Sequence, residues 1–150
     1  MSFLFVSCSD ADIVFQETKE IENATWNKDD KVSFDFEVND TTEFYDFYFD
    51  LRTTTSYEWA NLYLFVEIQF PNEQFNIDTV EFVLANPLGE WIGVSSGSIV
   101  NTNLQFINKR SFPQKGAYTL SFIQAMRQDD LAEVMDVGLI MKKSPVKAEE

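Results

Sequence analysis

Val32-Ser33-Phe34-Asp35-Phe36-Glu37-Val38 sets an apolar residue at every second position and fills the places between with Ser, Asp and Glu. Side chains of an extended chain point alternately to opposite sides. This stretch therefore reads as a β-strand with one face in a core and the other in water. The same period spreads along the chain from there. Tyr45, Phe47, Phe49 and Leu51 form an inward row, with Asp46, Tyr48, Asp50 and Arg52 outward. Leu62, Leu64, Val66, Ile68 and Phe70 form the longest row, opposed by Tyr63, Phe65, Glu67 and Gln69. Further inward rows are Val80, Phe82 and Leu84; Tyr118, Leu120 and Phe122; and Val137, Leu139 and Met141. Two more strands are expected at Trp91-Ile92-Gly93-Val94 and Leu104-Gln105-Phe106-Ile107, with a mobile loop or irregular edge between Gly93 and Asn103.

Turn chemistry separates these rows: Asn39-Asp40-Thr41-Thr42, Pro71-Asn72-Glu73, Asn86-Pro87-Leu88-Gly89 and Pro113-Gln114-Lys115-Gly116. Short alternating strands without a long 3.6-residue period predict an all-β fold, a two-layer antiparallel β-sandwich of jelly-roll type with eight or nine strands. At most one short helix is expected, near residues 128–135, where Asp129 and Asp130 would complement a helix N-terminus. The expected organisation is residues 1–7 as the remnant of a signal peptide, 8–30 as tether and first edge strand, 31–143 as the sandwich and 144–150 as a frayed tail. Within the first edge strand, Ile13, Val14 and Phe15 are the expected anchor.

Composition removes many functions. The chain of 150 residues suits one domain with one core. It has no histidine and a single cysteine, Cys8, so it can form neither an internal disulfide nor a Cys/His zinc site. No imidazole is available to activate a nucleophile, which argues against an enzyme; no catalytic residue, metal site or cofactor is expected. Net charge is −14, with thirteen acidic residues between Asp10 and Asp50 against Lys19, Lys28 and Lys31. Such a field repels phosphate backbones, so no nucleic-acid partner is expected. Asp29-Asp30 and Asp129-Asp130 pair carboxylates without the ligand spacing of a calcium loop.

Cys8 follows the apolar run Phe3-Leu4-Phe5-Val6-Ser7 and opens the polar stretch Ser9-Asp10-Ala11-Asp12. That is the arrangement of a bacterial lipoprotein signal, in which the cysteine is acylated and becomes the mature N-terminus. The aromatic content, 15 Phe with 5 Tyr and 3 Trp, is mostly core filling. Phe34, Phe36, Phe47, Phe49, Phe82 and Phe122 are expected inside. Trp26, Tyr48, Tyr57, Trp59 and Trp91 fall in turns or on polar sides of strands, where such residues serve as partner-binding or glycan-stacking surface.

Several segments taken in order resemble one family. They are Trp26-Asn27-Lys28-Asp29, the Asn61–Pro71 strand, Asn86-Pro87-Leu88-Gly89-Glu90-Trp91-Ile92-Gly93, Phe112-Pro113-Gln114-Lys115-Gly116, Gln124-Ala125-Met126-Arg127 and Asp136-Val137-Gly138-Leu139. From Cys8 to Lys143 the chain resembles the gliding-motility lipoproteins known as GldH. The resemblance implies an outer-membrane lipoprotein, anchored through acyl groups on Cys8, that works with other envelope lipoproteins and with type 9 secretion proteins. It implies no catalytic residue and no cofactor, and Ser9 after the lipidated position agrees with sorting to the outer membrane. The alternative readings are a surface carbohydrate-binding module, with a glycan as ligand, and a carboxylate-based hydrolase.

Overall fold

The computed structural model describes residues 12–145. Cys8, with the expected signal remnant, lies outside the described residues, as do residues 146–150 of the expected tail. Eleven strands occur among the described residues. They are β1 (Ile13–Glu20), β2 (Thr25–Asn27), β3 (Val32–Val38), β4 (Tyr45–Thr54), β5 (Asn61–Gln69), β6 (Phe75–Val83), β7 (Val94–Ser96), β8 (Ile99–Arg110), β9 (Gly116–Gln124), β10 (Asp130–Ala132) and β11 (Val134–Lys143). One sheet runs β1-β11-β4-β8-β7 and the other β3-β9-β5-β6, while β2 and β10 form a short ribbon. Every pairing is antiparallel.

With the three-residue strands set aside, eight long strands remain. Their order is first-eighth-third-sixth in one sheet and second-seventh-fourth-fifth in the other. That is the strand order of a jelly roll. Successive strands mostly cross between sheets, so each alternating segment must have its apolar side on the same inner space. All the inward rows meet there except at their ends, where Phe70 and Val80 are only half-buried.

The core is joined across the sheets by aromatic rings. Phe36 stacks on Tyr118 at 5.7 Å, and both meet Phe112, at 5.9 and 4.7 Å. Phe47, from the opposite sheet, reaches Phe36 at 5.6 Å. A second group holds Phe49 stacked on Phe82 at 4.6 Å and edge-on to Phe122 at 4.9 Å. Each such pair contributes about 0.5–1.5 kcal/mol beyond its buried area.

Four expectations are corrected. No helix forms near residues 128–135; the segment splits into β10 and the start of β11, and Glu133 between them has φ 71°. Leu131 pairs opposite Trp26, and Thr54 donates its N–H to the Glu133 carbonyl at 3.1 Å. Cross-strand pairing and burial of Leu131 and Val134 outweigh a modest local helix preference. The Gly93–Asn103 region is a hairpin of β7 and β8, turning at Gly97 with φ 62°. Of the strand expected at 91–94, only Val94 belongs to β7, while Trp91 makes an isolated bridge to Ala85. Asp46, expected outward, is buried, and its Oδ1 accepts the Lys109 N–H at 2.9 Å. The β4–β8 register slips at Tyr45/Phe47 and Phe47/Tyr48, and Lys109 sits at φ 54°; the carboxylate satisfies the donor that this bulge exposes.

Of the expected tether and first edge strand, the described residues 12–30 supply more than an edge strand. β1 is paired to β11 from Ile13 to Glu20, with a bulge at Val14, and Trp26 of β2 has no exposed surface. Among the described residues no helix is long and apolar enough to cross a membrane.

Candidate functional site

Gln124 occupies the next inward place after Tyr118, Leu120 and Phe122, yet it is polar. Buried without partners, its amide would be strongly destabilising. Here it is saturated. Its Nε2 donates to the carbonyls of Gln128 at 2.8 Å, Asp129 at 3.1 Å and Trp26 at 3.3 Å, and its Oε1 accepts the Met126 N–H at 2.9 Å. An amide nitrogen has two hydrogens, so one of those contacts is shared. A single side chain thus stands in for the missing ladder and folds residues 125–129 back over the end of β9. Ala125 donates its N–H to the Tyr63 carbonyl at 2.8 Å, which fixes this loop to β5.

The loop walls a recess of about 340 Å³ lined by Trp59, Tyr63, Ala125, Met126, Arg127 and Gln128. Trp59 is 41% and Tyr63 40% exposed. Trp59 Nε1 donates to Gln128 Oε1 at 3.3 Å, so one ring face stays available while its polar handle is held. The neighbouring Glu81 carboxylate raises the Tyr63 phenol above its ordinary range, and Tyr63 with the Asn61 amide, which donates to Glu81 Oε2 at 3.2 Å, holds Glu81 below its own. The opening is mainly apolar with amide and guanidinium groups at its border. It suits a flat apolar side chain or a single sugar ring; it assembles no nucleophile beside a base.

The five aromatics read from the sequence as surface are not brought together. Trp26 is completely buried and its Nε1 donates to the Asp30 carbonyl at 2.8 Å. Tyr57 is buried, and its hydroxyl donates to the Asn61 carbonyl at 2.8 Å. Both belong to the core, so neither offers a face to a partner. Trp91 is half-buried with its ring 6.4 Å from that of Tyr57. Tyr48 is half-buried under the Lys142 ammonium, 4.9 Å above its ring. Trp59 alone opens onto the recess, and its companions there, Tyr63 and Met126, were not singled out. Tyr63 was readable as the polar-side residue opposite Leu62 and Leu64. The position of Met126 depends on the Gln124 turn, which has no local signature.

The Asp129-Asp130 pair is occupied structurally. Lys28 Nζ lies 3.3 Å from Asp129, and Asn27 donates to Asp130 at 2.7 Å, which fastens β2 to β10. Among the described residues no cluster of three His, Cys, Asp or Glu could hold a metal.

Burial pushes the Tyr57 phenol far above its ordinary value, and it raises Tyr45 and Tyr118 as well. The unfolded chain releases these protons near pH 10, whereas the folded chain retains them. Their contribution is therefore complete below about pH 10 and declines as pH rises beyond it. The urea midpoint is expected to fall between about pH 9 and about pH 11, and Tyr57→Phe should show a shallower fall. Identical pH profiles for the two proteins would contradict this placement of the phenol.

The distinctive Asn86–Gly93 segment has a structural explanation. Asn86 Oδ1 accepts the N–H groups of Leu88 at 3.0 Å and Glu90 at 2.9 Å, and Gly89 turns at φ 82°. A Cβ on Gly93 would lie 2.4 Å from the Asn101 carbonyl oxygen, so only glycine lets the chain approach β8 there.

A family model described as GldH lipoprotein matches residues 13–141. Two relatives were each 34% identical. The gliding motility lipoprotein GldH homolog of Christiangramia forsetii aligns over 94% of this chain and 90% of its own length. The gliding motility lipoprotein GldH of Flavobacterium johnsoniae aligns over 91% and 88%. The match begins at the first residue of β1 and ends within β11, covering the jelly roll from its first long strand to its eighth; the chain belongs to the GldH lipoprotein family.

Proposed function

We propose that this protein is a lipid-anchored component of the bacterial cell envelope. Acyl groups on Cys8 would hold it to the outer membrane. It would act without catalysis, presenting its sandwich to other envelope lipoproteins and to proteins of gliding and type 9 secretion. The observation that carries this reading is membership of a lipoprotein family across residues 13–141, with a lone cysteine placed just ahead after an apolar run. Two or three acyl chains on one sulfur anchor stably, where a single chain does not.

The fold refines how the anchor would work. A flexible segment from 9 to 30 would span about 25 Å. With β1 starting at Ile13 and β2 packed in the body, a spacer between Cys8 and the body would be residues 9–12. Four residues reach at most about 14 Å, so the sandwich would stay against the leaflet, with the start of β1 toward it.

Cys8→Ala is expected to move the protein from the membrane to the soluble fraction of fractionated cells. Crosslinking in intact wild-type cells should join it to envelope proteins. Retention of the Cys8→Ala protein in the membrane would sink the anchoring, and recovery of the wild-type chain alone would sink the scaffold role.

A further inference from the structure

We propose that β6 is a docking edge for an extended segment of another protein, one that carries apolar residues together with Lys or Arg. The proposal deepens the reading of the body as a surface-presenting module and rests on it.

β6 ends its sheet and is paired along its nine residues to β5 alone. The other edges are short or guarded. β1 and β3 end the two sheets on the same side and close on each other: Phe15 meets Phe36 at 6.1 Å, and the Lys19 ammonium donates to the Ser33 carbonyl. β7 has three residues, and beyond it the open edge of β8 carries a bulge against β4 and ends in Lys109 and Arg110. Folded proteins protect long edges with lysine, proline or a bulge. β6 has no lysine, proline or bulge, its register with β5 is unbroken from Phe75 to Val83, and its one charge on the core side, Asp78, is the group a basic partner would neutralise. It exposes Phe75, Ile77 and Val83 by 58%, 51% and 48%, all on the outer side of the sheet.

Charge selects the occupant. From Thr53 to Asn108 the chain contains no Lys or Arg, and β6 carries Asp78 and Glu81, with Glu73 just before it. None of those three carboxylates has a salt bridge among the described residues. A second copy would bring a like-charged edge against this one, which is unfavourable. Lipid is excluded by the free N–H and C=O groups of the edge, which hydrocarbon cannot satisfy. A basic strand meets both demands: its backbone continues the ladder, its apolar residues cover Phe75, Ile77 and Val83 on the outer side, and its cations, on the other side, reach Asp78.

The test uses the full chain and a fluorescent nine-residue peptide of alternating lysine and valine, followed by anisotropy. Two analogues carry backbone N-methyl groups on alternate residues, one in each phase. We expect the peptide to bind, one methylation phase to weaken it by at least about tenfold, and Ile77→Lys to do the same. Phe75→Lys is the second variant, and circular dichroism checks that each is folded. Absence of binding, or binding that neither methylation phase nor either substitution weakens, would overturn the proposal. So would a dimer in sedimentation that Ile77→Lys dissociates, since a second copy would then own the edge. None of these results depends on Cys8, so this assay and the fractionation of Cys8→Ala can fail separately.

Discussion

Gln124→Leu is expected to destabilise the protein by about 2–4 kcal/mol, although leucine matches the size of the side chain and the apolar pattern of the row it joins. The substitution strands the Gln128 carbonyl and the Met126 N–H and takes a contact from the Trp26 and Asp129 carbonyls, the latter still accepting the Lys28 N–H at 2.8 Å. A buried polar group left without a partner costs about 1–3 kcal/mol, and part of this loop can recover bonds to water. The recess should open in the same step, because its wall is the segment that Gln124 folds back. Urea unfolding measures the first effect and Trp59 fluorescence quenching the second. Gln128→Ala is the contrasting variant: it removes one exposed 3.3 Å bond to Trp59 and should change stability by less than about 0.5 kcal/mol. Equal midpoints for Gln124→Leu and wild type would dismiss the organising role of this amide.

Trp26→Ala should cost about 3–5 kcal/mol, the range for deleting a large aromatic side chain from a packed interior. Trp26 has no exposed surface and donates a 2.8 Å hydrogen bond to Asp30, so the loss combines a cavity with an orphaned carbonyl. Trp26→Phe keeps much of the volume and loses the bond, and should cost about 1–2 kcal/mol. The outcome separates two roles for one residue. A contact surface would tolerate alanine and lose only binding; a core residue loses the fold. A Trp26→Ala chain with the wild-type urea midpoint would restore Trp26 to the surface.

These two residues show where reading the chain succeeds and where it stops. Alternation placed Phe34, Phe36, Phe47, Phe49, Phe82 and Phe122 inside, and all six are buried. It works because a strand has two faces and water accepts one of them, a choice fixed by each residue and its immediate neighbours. Trp26 was misplaced because β2 is too short to show a period, and its burial depends on β10 more than a hundred residues later. Asp46 was misplaced for a related reason: its partner, the Lys109 N–H, exists only because β8 bulges against β4. The helix expected near residues 128–135 failed because a strand on either side supplies hydrogen bonds that local propensity cannot foresee.

By itself the sequence determined the fold class, the inward face of six of the eight long strands, the absence of imidazole and thiol-pair chemistry, and the resemblance that family comparison establishes. Those properties reside in composition and in periods a few residues long. Tertiary structure alone decided the jelly-roll order of the strands, the gathering of Trp59, Tyr63 and Met126 around one recess, and which edge was left without a neighbour. Each of these joins positions far apart in the chain, and loop closure and cross-sheet packing set that distance, not any local preference.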